Sequence, residues 1–118
     1  MTVLDPAQLV GFGGAVGAVL RYAVSQWLAG HEFPLSTLVV NAVGSFVLGL
    51  VAFSGLDGTL ALAVGVGACG SFTTFSSFTF ETVRLWEAGE RRVAAANALG
   101  NLLAAGVALG LAGWLVGG

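Results

Sequence analysis

Charged positions are confined to Asp5, Arg21, Glu32, Asp57, Glu81, Arg84, Glu87, Glu90, Arg91 and Arg92, and the stretches between them are almost wholly apolar. Residues 33–56, 58–80 and 93–118 carry no charge, and residues 7–29 carry only Arg21. Each stretch matches or exceeds the roughly 20 residues that a helix needs to cross about 30 Å of hydrocarbon. The pattern predicts an all-α integral membrane protein with four transmembrane helices, over about 7–29, 34–55, 59–86 and 92–116. So many spans in so short a chain leave one domain, 1–118, with connections at His31 to Leu35, Gly55 to Gly58 and Glu87 to Arg92. An even number of spans puts both termini on the same side. Met1 to Pro6 has no basic residue and leads into a span longer than a typical signal-peptide core, so the first span is expected to be retained.

Composition agrees with a bilayer as the solvent. The 118 residues are 57% hydrophobic and 8% charged, where a soluble surface would carry about 25% charged residues. The net charge of −2 and the scattered arginines give no footprint for nucleic acid. Arg84, Arg91 and Arg92 gather at the last connection, a bias that places both termini outside. Cys69 stands alone, which excludes an intramolecular disulfide and a multi-cysteine metal site, and it reads as a small core residue. His31 sits beside Glu32 in a connection and reads as a solvated loop residue. With no paired carboxylates, histidine-based nucleophile or metal cluster, the chain is not expected to be an enzyme.

Glycine is in excess, with 19 residues, and recurs at helix-contact spacing: Gly13 with Gly17, Gly14 with Ala18, Gly106 with Gly110. Such pairs let backbones approach closely in lipid, and intrachain packing is the expected use for most of them. Gly65, Gly67 and Gly70 spell G-x-G-x-x-G, but inside a membrane span with no preceding strand the motif is no dinucleotide site.

The informative segment runs from Gly70 to Phe80, with six hydroxyl residues and four of the eight phenylalanines in the middle of the third span. Hydroxyls compete for backbone hydrogen bonds and Gly70 adds backbone entropy, so this is a poor helix interior. Two readings stand side by side. In one the helix breaks near 70–77 and its freed N–H and C=O groups line a cavity. In the other it stays intact, with its hydroxyls bonded back to their own carbonyls. Asn41 lies in the middle of the second span, with Gly44, Ser45 and Leu48 continuing its face. Asn97 and Asn101 share a face of the fourth helix. Each asparagine reads either as glue between helices or as a donor facing a water-filled path. Arg21, the one charge inside the first span, is read first as a structural residue that snorkels or pairs with a carboxylate such as Glu81.

Four pieces of the chain resemble the Fluc fluoride channels, also called CrcB proteins. Gly13-Gly14-Ala15-Val16-Gly17-Ala18-Val19-Leu20-Arg21-Tyr22 is similar to that family's GGxxGAxxRY, and Thr37 to Phe46 to its TLxVNxxGSF. Gly70 to Phe78, with the core Thr73-Thr74-Phe75-Ser76-Ser77-Phe78, is similar to its GxxTTFSTF, and Glu81 follows where the family has a glutamate. The resemblance implies an antiparallel, dual-topology dimer in the plasma membrane of a prokaryote. Two pores at the subunit interface would pass cytoplasmic fluoride outward and so lower its toxicity. It implies Asn41, Phe75, Phe78, Ser76 and Ser77 as pore residues and Arg21 at the vestibule. It also implies a structural sodium ion on the dimer axis, held by the backbone carbonyls of Gly70 and Thr73.

Two positions and one helix depart from the family pattern. Ser36 and Ser77 stand where glycine and threonine are usual, and the fourth helix lacks the usual aromatic and hydroxyl track. Thr74, Asn97 and Asn101 remain as candidate pore wall. The partner is then a second copy of the chain or, as the bias of the arginines suggests, a homologous subunit in fixed orientation. Two rivals have the same size: a small multidrug-type exporter, which needs a carboxylate that none of the charge-free cores contains, and a non-conducting subunit of a heterodimeric membrane complex.

Overall fold

A computed structural model describes residues 5–31, 33–56 and 58–117, so Met1 to Leu4, Glu32, Asp57 and Gly118 lie outside the described residues. With them lie the start of the N-terminal segment and the carboxylate expected beside His31. Four helical spans long and apolar enough to cross a membrane make up the structure: Pro6–Trp27, Leu35–Phe53, Gly58–Glu87 and Arg91–Gly117.

Local chemistry sets the ends. Asp5 precedes the first helix, and its N–H donates to Oε1 of Gln8 at 2.8 Å, satisfying a donor that a helix start leaves free. Pro6, in the first turn, has no N–H to lose. The third span stops at Glu87. There the Glu90 N–H reaches the Leu85 carbonyl at 2.9 Å and the Gly89 N–H reaches Trp86 at 3.1 Å. That double closure needs a left-handed residue, which Gly89 supplies with φ +87°. His31 is exposed, as expected of a connection, and its Nδ1 lies 2.8 Å from the Leu28 carbonyl at the end of the first helix.

The spans pack as two pairs, the first helix on the N-terminal arm of the third span and the second helix on the fourth. Gly13 and Gly17 explain the first pair. A Cβ at Gly13 would run into the Ala63 carbonyl, and one at Gly17 into the Ala68 carbonyl and Ser71 Oγ. The Ser71 hydroxyl donates across the same contact to the Gly14 carbonyl at 2.6 Å. Over Leu62–Cys69 the third span widens to π-helical geometry, and this is the stretch that seats against those glycines. In the second pair Gly49 faces Ala112, whose Cβ would lie 2.8 Å from an added methyl. Gly106 and Gly110 do not follow suit. Nothing lies within 4 Å of a Cβ at either, so their spacing serves no intrachain contact, and the pair is an exception to the intrachain packing expected of most.

Among the described residues no room is left for a lumen. The molecule is 21 Å across its thinnest dimension, about two helix diameters. Its outside is apolar, with Leu102 70% exposed and Trp27, Val107 and Trp114 similarly open. A patch of that extent in water would drive aggregation; in lipid it is the ordinary surface.

Candidate functional site

The third span does not run as one regular helix. Helical geometry ends at Phe72, Thr73 is extended at φ −79° and ψ 162°, and the helix resumes with Ser76–Glu87. Asn41 stands opposite this interruption. Its Oδ1 accepts the Thr74 N–H at 2.8 Å, and its Nδ2 donates to the Thr74 carbonyl at 3.1 Å. The side chain thus supplies both partners that a regular helix would have given Thr74. Thr74 in turn accepts the Ser77 N–H on its hydroxyl at 3.1 Å, satisfying a free donor at the start of the second arm. Thr73 returns its hydroxyl to the Cys69 carbonyl at 2.9 Å.

Because the Thr74 N–H is taken by Asn41 and the Ser77 N–H by Thr74, the Gly70 and Thr73 carbonyls lose the amides that helix geometry would have brought them. Among the described residues no backbone partner replaces those amides. Both residues line an open-sided groove, and a Cβ on Gly70 would meet nothing within 4 Å. Two unpaired carbonyls at the C-terminal, electronegative end of a helical arm suit a hard cation such as sodium. A hard cation takes more oxygens than two, so these carbonyls alone do not complete such a site.

The groove itself encloses about 720 Å³ and carries Asn41, Ser45, Thr74, Phe75, Phe78 and Asn101 on its wall. The Phe75 and Phe78 rings meet with centroids 6.0 Å apart at 44°. Phe75 is 78% exposed, so its ring stands clear of its own chain. A concavity this wide has the dimensions of a drug-sized pocket and cannot select a small halide by width until something closes it.

A second recess of similar volume lies beyond Thr74, which lines both. Here the wall is polar, with Arg21, Ser76, Ser77, Glu81, Arg84 and Thr37. The Thr37 hydroxyl donates to Glu81 Oε1 at 2.6 Å, tying the second helix to the third span. Sequence reasoning drew Asn41, Phe75, Phe78, Ser76 and Ser77 into one set. The structure divides them, the amide and rings on the groove and the two serines with Arg21 in the recess.

The remaining asparagines form a ladder behind the groove. Asn101 Oδ1 accepts from Asn41 Nδ2 at 3.0 Å, and Asn101 Nδ2 donates to the Asn97 carbonyl and side-chain oxygens at 2.8 and 3.0 Å. Asn97 Nδ2 then donates to the Thr82 hydroxyl at 2.8 Å, which donates to the Phe78 carbonyl at 2.7 Å. Asn97 has no solvent exposure and lines neither cavity, so it is not a wall residue of this chain. Asn101 does reach the groove. Thr82 carries no signal in the sequence, and Thr37 and Arg84 enter there only as the start of a motif and as part of a charge bias, not as site residues. Their roles depend on which helix lies opposite, and no spacing along one helix reports that.

Among known proteins, the family described as CrcB-like protein, Camphor Resistance (CrcB), matches residues 8–114. A protein of Haloarcula marismortui named fluoride-specific ion channel FluC 2 is 58% identical over 98% of both chains. The fluoride-specific ion channel FluC 1 of Halobacterium salinarum is 52% identical, covering 97% of this chain and 95% of its own. The fluoride-specific ion channel FluC of Thermus thermophilus is 44% identical, covering 93% and 91%.

Proposed function

The chain belongs to the CrcB family, and on that premise we propose that it is a fluoride-specific channel whose ion path is the groove of Asn41, Phe75 and Phe78, closed by a second copy. The observation that carries this reading is the groove's open side. Polar atoms and two phenylalanine rings converge on a concavity that one chain leaves unwalled at membrane depth. A pore at that depth needs protein on every side. Two chains in antiparallel orientation supply it twice, giving two paths per dimer in the cell membrane of a prokaryote. Fluoride then leaves the cytoplasm down its gradient, which lowers its toxicity.

Fluoride is small, strongly hydrated and a strong hydrogen-bond acceptor. A path selective for it replaces water with donors and excludes larger halides by width. Phenylalanine edges carry the positive part of the ring quadrupole, and Phe75 presents its ring outside its own chain. Asn41 contributes through exchange. Both of its N–H groups are engaged, but hydrogen bonds to an ion are about twice as strong as those between neutral groups. A passing fluoride therefore competes with the Thr74 carbonyl for one of them. The recess with Arg21, Ser76 and Ser77 is the vestibule, where a cation and hydroxyls gather the anion before it sheds water. Thr74, with an atom on each cavity, marks the passage between them.

A sodium ion held by the Gly70 and Thr73 carbonyls of both chains would neutralise four carbonyl dipoles at the dimer axis and fix the broken spans against each other. The chemistry throughout is binding and release, with no acid or base required.

The test is passive flux. Liposomes holding the purified protein and loaded with fluoride and chloride should release fluoride once a potassium carrier and a proton carrier dissipate the voltage, while chloride stays inside. Equal release of both halides, or retention of both, defeats the reading.

A further inference from the structure

Asn41 would be a poor pore residue if its amide were free to turn, because half of its orientations aim an oxygen at the anion. We propose that the ladder Asn101–Asn97–Thr82 is a positioning device that anchors one N–H of Asn41 so that the other is exchangeable with fluoride. The proposal rests on the channel reading above.

The geometry is specific. Of the two N–H groups on Asn41 Nδ2, one ends on Asn101 Oδ1 and the other on the Thr74 carbonyl. The Thr74 carbonyl belongs to the irregular stretch beside the groove, where an ion can replace it. Asn101 Oδ1 cannot turn away, because its own Nδ2 is held by two oxygens of Asn97, a residue with no exposure at all. Asn97 is fixed in turn by the Thr82 hydroxyl, and the ladder ends on the backbone of Phe78. The Asn41 amide and the backbone that carries the Phe78 ring are thereby linked by three side chains that need never touch the ion. Fully satisfied networks of this kind rigidify the groups they hold, and removing one rung leaves its neighbour unpaired in a medium with no water. Asn101 and Asn97 accordingly act through Asn41; they are positioning residues.

The experiment measures fluoride efflux from liposomes against fluoride concentration for the wild-type protein, Asn97→Leu and Thr82→Val, with size-exclusion profile and melting temperature recorded alongside. Thr82→Val is nearly isosteric and lies on no cavity wall, so it serves where the buried Asn97→Leu does not fold. The expected result is an intact dimer whose half-saturating fluoride concentration rises and whose flux falls about tenfold, the loss equivalent to one hydrogen bond. Flux that falls only in step with dimer content and melting temperature makes the ladder a structural brace and overturns the proposal. So does normal concentration dependence in Thr82→Val. A wild-type protein that carries no fluoride at all defeats the channel reading itself, a result separable from the other two.

Discussion

Asn41 grips Thr74 from both sides of one peptide, accepting its N–H at 2.8 Å and donating to its carbonyl at 3.1 Å. The same amide that faces the groove also fastens the second helix to the interruption in the third span, so packing and the proposed pore role fall on a single side chain.

Asn41→Asp separates them. A carboxylate still accepts the Thr74 N–H but sets its second oxygen against the Thr74 carbonyl and Asn101 Oδ1, both acceptors. Each broken contact costs about 1–3 kcal/mol, and a negative charge now stands in the anion's path. Purified protein should remain dimeric, melt at a lower temperature and lose fluoride flux by about tenfold or more. Flux at the wild-type rate would remove Asn41 from the ion path.

Glycine substitutions sort contacts within the chain from contacts with a partner. Gly17→Ala drives a methyl into the Ala68 carbonyl, a backbone atom that cannot yield, so it should destabilise the folded chain by about 3 kcal/mol or more. Gly14→Ala has its nearest neighbour at 3.9 Å and should be neutral. A Cβ at Gly110 has nothing within 4 Å among the described residues, so for Gly110→Leu a loss of dimer on size exclusion with helical content retained would place the fourth helix at the subunit interface. An unchanged dimer would place that face against lipid.

Those glycines also show what was legible in the sequence. The four spans could be read because charges are so costly in hydrocarbon that their positions alone mark where lipid begins. Gly13 with Gly17 and Gly106 with Gly110 have the same spacing, yet the first pair is filled by the third span and the second is open. Spacing reports that a backbone can approach and says nothing of whose backbone it is. Asn97 and Asn101 read from the sequence as Asn41 does, as amides inside apolar helices, either glue or donor. Only the arrangement of helices makes Asn97 fully enclosed and puts Asn41 and Asn101 on the groove. The π-helical widening at Leu62–Cys69 coincides with the stretch that seats against Gly13 and Gly17, a neighbour that no spacing along the third span reports.

Orientation is open to labelling. Ser54 is exposed in the turn after the second helix, and Cys69 is buried, so Ser54→Cys in a Cys69→Ala background provides a single reactive thiol. In intact cells an impermeant maleimide should label about half of the copies, with the rest reached only after permeabilisation, as dual topology requires. Labelling of all copies from one side would indicate a fixed orientation and a homologous partner inserted the other way.

The claim that the groove carries the ion is tested most directly by exchanging its rings. Phe75→Ile and Phe78→Ile keep the site apolar and cost at most a few kcal/mol of packing, about 1–3 by ordinary core experience, while removing the electropositive ring edge. Phe53→Ile, at the end of the second helix and away from the groove, is the matched control. In fluoride-loaded liposomes, with dimer content verified, both groove variants should largely stop efflux and the Phe53 variant should conduct as the wild type does. Near-normal efflux from both Phe75→Ile and Phe78→Ile would contradict the account, because the rings would then line a surface that fluoride never meets.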